Sequence, residues 1–431
     1  MAVTTAPLDT KYLDQLALLD QRIVAAAKEI KVLSRLSWHT DIQKSFLAGA
    51  AQGNLKLPEP VYPSIDLAAN RAELSACMAQ LKDGKDSAEP LQRYLFDTAE
   101  SYHTLCLLLE GIGTKALSDH SLTLYGSPTD KISSGHVNSL GAAQHFLEVS
   151  KTYKQNDALK EIDFCLSAEV MATEMRARLG EVFEEGLLRV EVDADMVSKA
   201  AAGGTRVRLR ANTPFSEYDL DQLLQHEAFV HSLTAINGKR QRFQCFSLGA
   251  PRTTGAQEGL ATFAEMVTGV MDIGRLERLA LRVVGIDHVL NGADFVEAYR
   301  FFIDVGLTEI DSFNSAMRIF RGAPLTGGAA FTKDVVYLHG LMEVDTFFRW
   351  AMQHNKLDMT RHFFAGRMTL NDVVNLDSVF ESGTLQEPGY LPPWMKRTSA
   401  LASYLAFSVF TNQIAVETLG ADFEFTRHDG G

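Results

Sequence analysis

The sequence predicts a mostly α-helical α+β protein in which one small sheet is set against a pair of central helices. Three observations carry this reading. Apolar residues recur at helical spacing through most of the chain, and two short stretches in the middle alternate apolar and polar residues with period two. After these stretches come two helix starts, each with a capping signature. At 46% hydrophobic and 22% charged over 431 residues, the chain can bury a sizeable core, which excludes disordered and fibrous architectures.

The first 180 residues read as helices. Tyr12, Leu16, Leu19, Ile23 and Ala26 share one stripe, and Leu91, Leu95, Tyr102, Leu105 and Leu109 another. Breaks rich in Pro and Gly fall at Leu57–Pro63 and Leu124–Pro128. Leu188–Asp193 and Thr205–Ala211 then alternate as half-buried strands do, which puts Arg206, Arg208 and Arg210 on one face. That face reads first as an exposed basic surface and second as an edge able to pair with an extended peptide.

A long helix is predicted from Ser216, where Ser216-Glu-Tyr-Asp219 offers a capping box, to Asn237-Gly238, a left-handed stop. An extended piece follows at Phe243–Phe246. Thr254-Gly-Ala-Gln257 gives a second capping box, opening a helix through about Val270. From Arg275 the chain is again mostly helical, with breaks at Arg321–Gly328 and Glu387–Pro393. Ser, Thr, Asn and Gln punctuate Thr398–Val416, so this stretch predicts a buried helix rather than a membrane span. The expected organisation is a helical region over 1–180 and a core with C-terminal helices over 181–431, joined as one compact unit.

Forty-one Lys and Arg face 54 Asp and Glu, a net charge of −13. Such a surface repels phosphates, which argues against nucleic acid and anionic membranes as partners. Cys77, Cys106, Cys165 and Cys245 are too far apart for a zinc knuckle or a redox dithiol and read as reduced core residues. Met1–Pro7 lacks the basic-then-apolar pattern of a secretory signal, so a cytoplasmic location is expected.

The central helix contains His226-Glu227-Ala-Phe-Val-His231, an H-E-x-x-x-H pattern. In the shorter H-E-x-x-H the two histidines lie about 40° apart around the helix and can meet one metal. One residue more opens that angle to about 140°. The longer spacing makes a site only if the helix absorbs the extra residue, most simply through a π-bulge. Random placement gives roughly 0.04 such patterns in this composition. The alternative is a polar stripe on an amphipathic helix.

Two histidines need a third protein ligand. Gln257-Glu258-Gly259-Leu260-Ala261 places Glu258 in the first turn of the next helix, where the partial positive charge of the N-terminus favours a carboxylate. Gly259 removes a side chain where another helix would approach closely. Glu265, two turns beyond Glu258 on the same face, either orients a ligand histidine or is a solvated surface residue.

His226–His231, the following Leu233-Thr-Ala-Ile-Asn-Gly238 and Gln257–Ala261 resemble the signature of the QEGLA-motif family, known in bacteria as flavohaemoglobin-expression-modulating proteins. That family is similar to the tyrosine carboxypeptidases acting on α-tubulin, zinc metallopeptidases with an H-E-x-x-x-H motif. Leu124–Pro128, Phe320–Gly322 and Phe331–Gly340 extend the resemblance over most of the chain. It implies a zincin-like core binding one Zn2+ through His226, His231 and Glu258, with Glu227 as general base.

Peptide hydrolysis also needs an electrophile for the oxyanion. Tyr337 is the candidate, with His339 as an auxiliary; the alternative for both is an ordinary packed helix side chain. A carboxypeptidase further needs a cation for the free C-terminus, and Arg321 and Lys333 are the candidates, Lys333 otherwise adding to surface charge. The expected substrate is a peptide or protein C-terminus, cleaved to release one residue, aromatic in the relatives. An aminopeptidase or dipeptidyl-peptidase with the same metal chemistry, and a non-catalytic zinc-binding regulator, are the competing readings.

Overall fold

The computed structural model describes residues 9–81, 89–133, 135–154, 165–194, 196 and 199–411. Helices dominate these residues. The first apolar stripe forms Thr10–Lys28, capped by the Asp9 carboxylate and burying Leu13, Leu16, Leu19 and Ile23. The second forms Pro90–Glu110, whose proline sits where a helix needs no N–H donor. The break at Leu124–Pro128 falls where Lys115–Tyr125 ends on Gly126, at a φ of +81° open to glycine.

The sheet has three strands, β1 (Arg189–Asp193), β2 (Ala200–Ala202) and β3 (Arg206–Arg210), in the order β1-β3-β2. β1 runs parallel to β3 and β2 antiparallel to it. Val207 and Leu209 are fully buried, so Arg206, Arg208 and Arg210, which alternate with them, point the other way. Arg206 meets Glu191 at 3.6 Å and Arg208 meets Asp193 at 3.1 Å, across on β1. The arginine strand is therefore central and cannot serve as an edge. The edge next to it is β2, three alanines with no alternation to betray a strand.

The predicted long helix exists as three continuous segments: an α-helix Glu217–Leu223, a π-helix Leu224–Ser232 and an α-helix Leu233–Arg240. Its capping box is present, with Asp219 N–H donating to Ser216 Oγ at 3.0 Å and Ser216 N–H to Asp219 Oδ2 at 2.7 Å. Gly238 is not the stop. The helix runs through it to Arg240, and glycine is required there because a Cβ would lie 2.2 Å from the carbonyl oxygen of Phe246. The piece expected to be extended is a 3₁₀ turn, Gln244–Ser247.

The next helix is Thr254–Val267, three residues shorter than expected, and it lacks the predicted capping box. The 3₁₀ turn Pro251–Thr253 leads into it, and Gln257 is buried against another helix instead of reaching back. Gly259 does lie at a close crossing: a Cβ on it would be 2.4 Å from the Gly340 carbonyl, in the helix Val336–Gln353. Thr398–Thr411 buries Leu401 and Leu405 but exposes Tyr404, Phe407 and Phe410, so only one of its faces is buried; positions 412–416 lie outside the described residues.

One hydrophobic cluster runs from Leu13 to Leu405, and a second gathers Phe46, Phe295, Tyr299, Phe302, Phe313 and Phe320. All four cysteines are free; Cys165 is exposed, against expectation, and the other three are buried. No described helix is long and apolar enough to cross a membrane.

Candidate metal centre

The π-helix supplies the geometry that the five-residue spacing demands. With a wider turn, His226 and His231 come onto one side, their ring centroids 4.8 Å apart and the rings nearly perpendicular at 81°. Glu258 approaches both from the facing helix. Its Oε2 lies 3.3 Å from Nε2 of His226 and 3.3 Å from Nε2 of His231, yet it makes no well-directed hydrogen bond to either. Ligand atoms of a tetrahedral zinc site, with bonds of about 2.0–2.1 Å, stand about 3.3–3.4 Å apart. An orphaned carboxylate oxygen with two imidazole nitrogens at that separation is a donor set aimed at one shared point. Two nitrogens and one oxygen suit zinc and leave a fourth position open.

Glu258 is the fifth residue of its helix, so it stands in the second turn rather than the first. Burial opposes its charge. The Lys333 ammonium, 3.4 Å from Oε1, and the two histidines outweigh that and hold the carboxyl well below the usual carboxylate range. These side chains, more than the helix terminus, keep it ionised.

Behind the donors lies Glu265, fully buried, with Oε1 2.6 Å from Nδ1 of His226. Arg275 Nε and a terminal nitrogen each reach its carboxylate at 3.1 Å, and Gln222 adds a donor at 2.9 Å. Although burial pushes its pKa up, His226 and Arg275 bring it down to about 2. Burial likewise disfavours a charged His226, but Glu258 and Glu265 raise that imidazole to about 10 in the metal-free protein. Glu227 faces the cleft, and its Oε2 accepts the backbone N–H of Ala202 on β2 at 2.9 Å.

A cleft of about 290 Å³ opens on the donors, lined by β2, Glu227, Arg318, Arg321, Phe331, Lys333 and Tyr337. A second lobe of about 560 Å³ shares Glu227, Arg318 and Tyr337 and adds Lys199, Arg275, Arg278 and Arg282. Tyr337 thus lies at the junction, with Arg282 5.0 Å and Lys333 5.6 Å from its ring. His339 is not in the cleft: two residues on, it points to the opposite side of the helix, where Nδ1 lies 3.0 Å from Ser139 Oγ. Of the two proposed carboxylate-binding cations, Lys333 is engaged with Glu258, whereas Arg321 lines the cleft with a buried Nε that has no partner among the described residues.

Sequence reasoning missed several of these groups. Asp334 takes a two-point contact from Arg318, at 2.5 and 2.8 Å, with Arg282 4.0 Å away. Those arginines hold the Asp334 carboxyl far below its usual range despite burial. Arg318 stands three residues before the nominated Arg321, which is the one signal that pointed to it. In the cleft itself Arg318, Arg321 and Lys333 face Glu227, Glu258 and Asp334, and the second lobe adds Lys199, Arg275, Arg278 and Arg282 against Asp219 and Asp272, so cations slightly outnumber carboxylates although the chain carries −13 overall.

The family model described as microtubule-associated tyrosine carboxypeptidase matches residues 44–413. No curated protein matches the chain. Among solved structures, that of a candidate lipoprotein from Colwellia psychrerythraea is 14% identical, over 95% of this chain and 77% of that one, with a TM-score of 0.37.

Proposed function

The chain belongs to the microtubule-associated tyrosine carboxypeptidase family, and from that premise we propose that it is a zinc-dependent carboxypeptidase releasing one residue, aromatic by preference, from the C-terminus of a peptide or protein. The observation that carries the proposal is the convergence of His226, His231 and Glu258 at tetrahedral-edge distances, beside Glu227 in a cleft that also holds Arg321. Zinc held by these three would supply a Lewis acid that lowers the pKa of water toward about 7.

The remaining chemistry belongs to the side chains. Glu227 takes the proton of the attacking water and passes it to the leaving amine, a role needing a carboxylate at the donors but not among them. Glu265 fixes the His226 tautomer, leaving Nε2 free to ligate. Tyr337 donates its phenol proton in a hydrogen bond to the developing oxyanion. Arg321, whose planar fork matches a carboxylate, binds the substrate's free C-terminus, and Lys333 adds charge behind Glu258. The open edge of β2 gives the substrate backbone a strand to pair with. The reading makes the chain one zincin-like catalytic unit, with 1–180 packed against 181–431.

An aminopeptidase would need a carboxylate for the ammonium terminus, but Asp334 is held by Arg318 and Glu258 by Lys333, while Arg321 keeps a buried Nε unpaired among the described residues, which favours the carboxypeptidase. Incubating peptides blocked at either end and following products by mass spectrometry decides the matter. Cleavage is expected with an acetylated N-terminus and lost with an amidated C-terminus; cleavage that survives amidation overturns the proposal.

A further inference from the structure

A buried polar pair joins the two ligand-bearing helices at the point where the π-helix ends. Thr234 follows His231 by three residues and is fully buried; Gln257 precedes Glu258 and is 5% exposed. The Thr234 hydroxyl lies 2.7 Å from the carbonyl oxygen of Val230 and 2.9 Å from the Gln257 side-chain amide. It has one proton, which it shares between the Val230 carbonyl and Gln257 Oε1, the side-chain oxygen that faces it. Gln257 Nε2 is left buried with no partner among the described residues.

Leaving a polar atom in that state costs about 1–3 kcal/mol, and an apolar side chain of the same size would avoid the cost. A residue that breaks the rule for buried polar atoms beside a donor set is more plausibly retained for the site than for the core. The same end of the π-helix receives a second side-chain donor, Arg367, 3.1 Å from the carbonyl oxygen of His231. Regular α-helical pairing is disturbed at a π segment, so the backbone that carries His231 needs such anchors.

We propose that Thr234 and Gln257 are positioning residues that set the register between His231 and Glu258, and so the affinity of the site for its metal. This rests on the metal reading above. The test compares Thr234→Val, Gln257→Leu, the double variant and Thr234→Ser by thermal unfolding and by zinc titration against a chromophoric chelator. Thr234→Val strands the Gln257 amide and is expected to lose stability, Gln257→Leu leaves the Thr234 hydroxyl on the Val230 carbonyl and is expected to keep it, and both should weaken zinc binding at least tenfold. The double variant removes both polar groups, so it should regain most of the stability while zinc binding stays at least tenfold weaker. Thr234→Ser keeps the hydroxyl and should bind zinc within twofold of wild type.

A double variant whose zinc affinity returns to within twofold of wild type along with its stability overturns the proposal, because the pair would then matter only for packing. Tenfold weakening in Thr234→Ser overturns it as well, and that outcome is readable even if the double variant does not fold. Wild-type protein that binds no zinc overturns the metal reading instead, so the two failures are told apart.

Discussion

Glu265 accepts a hydrogen bond from Nδ1 of His226 at 2.6 Å, which settles the tautomer of that imidazole. A carboxyl held at about pKa 2 can only accept, so Nδ1 carries a proton in either charge state of the ring, and the proton a metal would displace is the one on Nε2, which faces Glu258 and His231. Glu265→Gln retains the shape but loses the charge. Its zinc affinity is expected to fall about 10–100-fold with one ion still bound at saturation, measured by chelator competition.

Replacing Glu227, the base of the proposed mechanism, separates chemistry from binding. Glu227→Gln spares all three donors, so the variant should hold as much zinc as wild type while kcat/KM on a good peptide falls by about 10²–10⁴. Full activity in this variant would mean another group takes the proton.

At the Gly259–Gly340 crossing, a methyl group on either residue meets backbone, which cannot turn aside as a side chain can. Gly259→Ala should cost about 3 kcal/mol or more in urea unfolding, toward the upper end for overpacking. Gly255→Ala, one turn earlier on the same helix and with nothing within 4 Å of the added carbon, is the control expected to fold normally.

Asp334 makes stability depend on acid in a stated direction. Its folded pKa is depressed below the unfolded value of about 3.9, so its contribution is present above about pH 4 and is lost as pH falls through the folded value. Asp334→Asn lacks that contribution at every pH and leaves Arg318 and Arg282 uncompensated. Unfolding curves of the two proteins should differ by about 3–5 kcal/mol at pH 7 and converge in acid.

Thiol labelling reads the core directly. Only Cys165 is exposed, while burial pushes Cys77 up, Cys106 up to about 11 and Cys245 well above the ordinary range. One fast thiol in the native protein and four in denaturant are expected with a chromogenic disulfide.

Much of the donor set was legible because its logic is local. A five-residue histidine spacing can hold a metal only if the helix absorbs a residue, and the π segment expected on that condition is present at Leu224–Ser232. Glu265 was legible through its seven-residue offset from Glu258. Other features turn on contacts between distant segments. Gly238 looks like a left-handed stop, but nothing local says whether a glycine is needed for its dihedral freedom or for the space that Phe246 occupies. Thr254–Gln257 has the letters of a capping box, yet Gln257 finds its partner on another helix. Arg275, Arg282 and Arg318 carry no periodic mark of the carboxylates they meet, and Ala200–Ala202 is a strand only because β3 lies beside it.

Where Gly259 meets Gly340, main chain rests on main chain, and no side chain stands at the junction to be trimmed or enlarged. The angle of the Glu258 helix is thus out of reach of gradual substitution. Divergence in what the cleft accepts has to come from its other walls: the alanine strand, and the arginines of Ile273–Leu290 and Glu309–Phe320. Substitution can redecorate the rim of this site while the mutual placement of His226, His231 and Glu258 stays fixed.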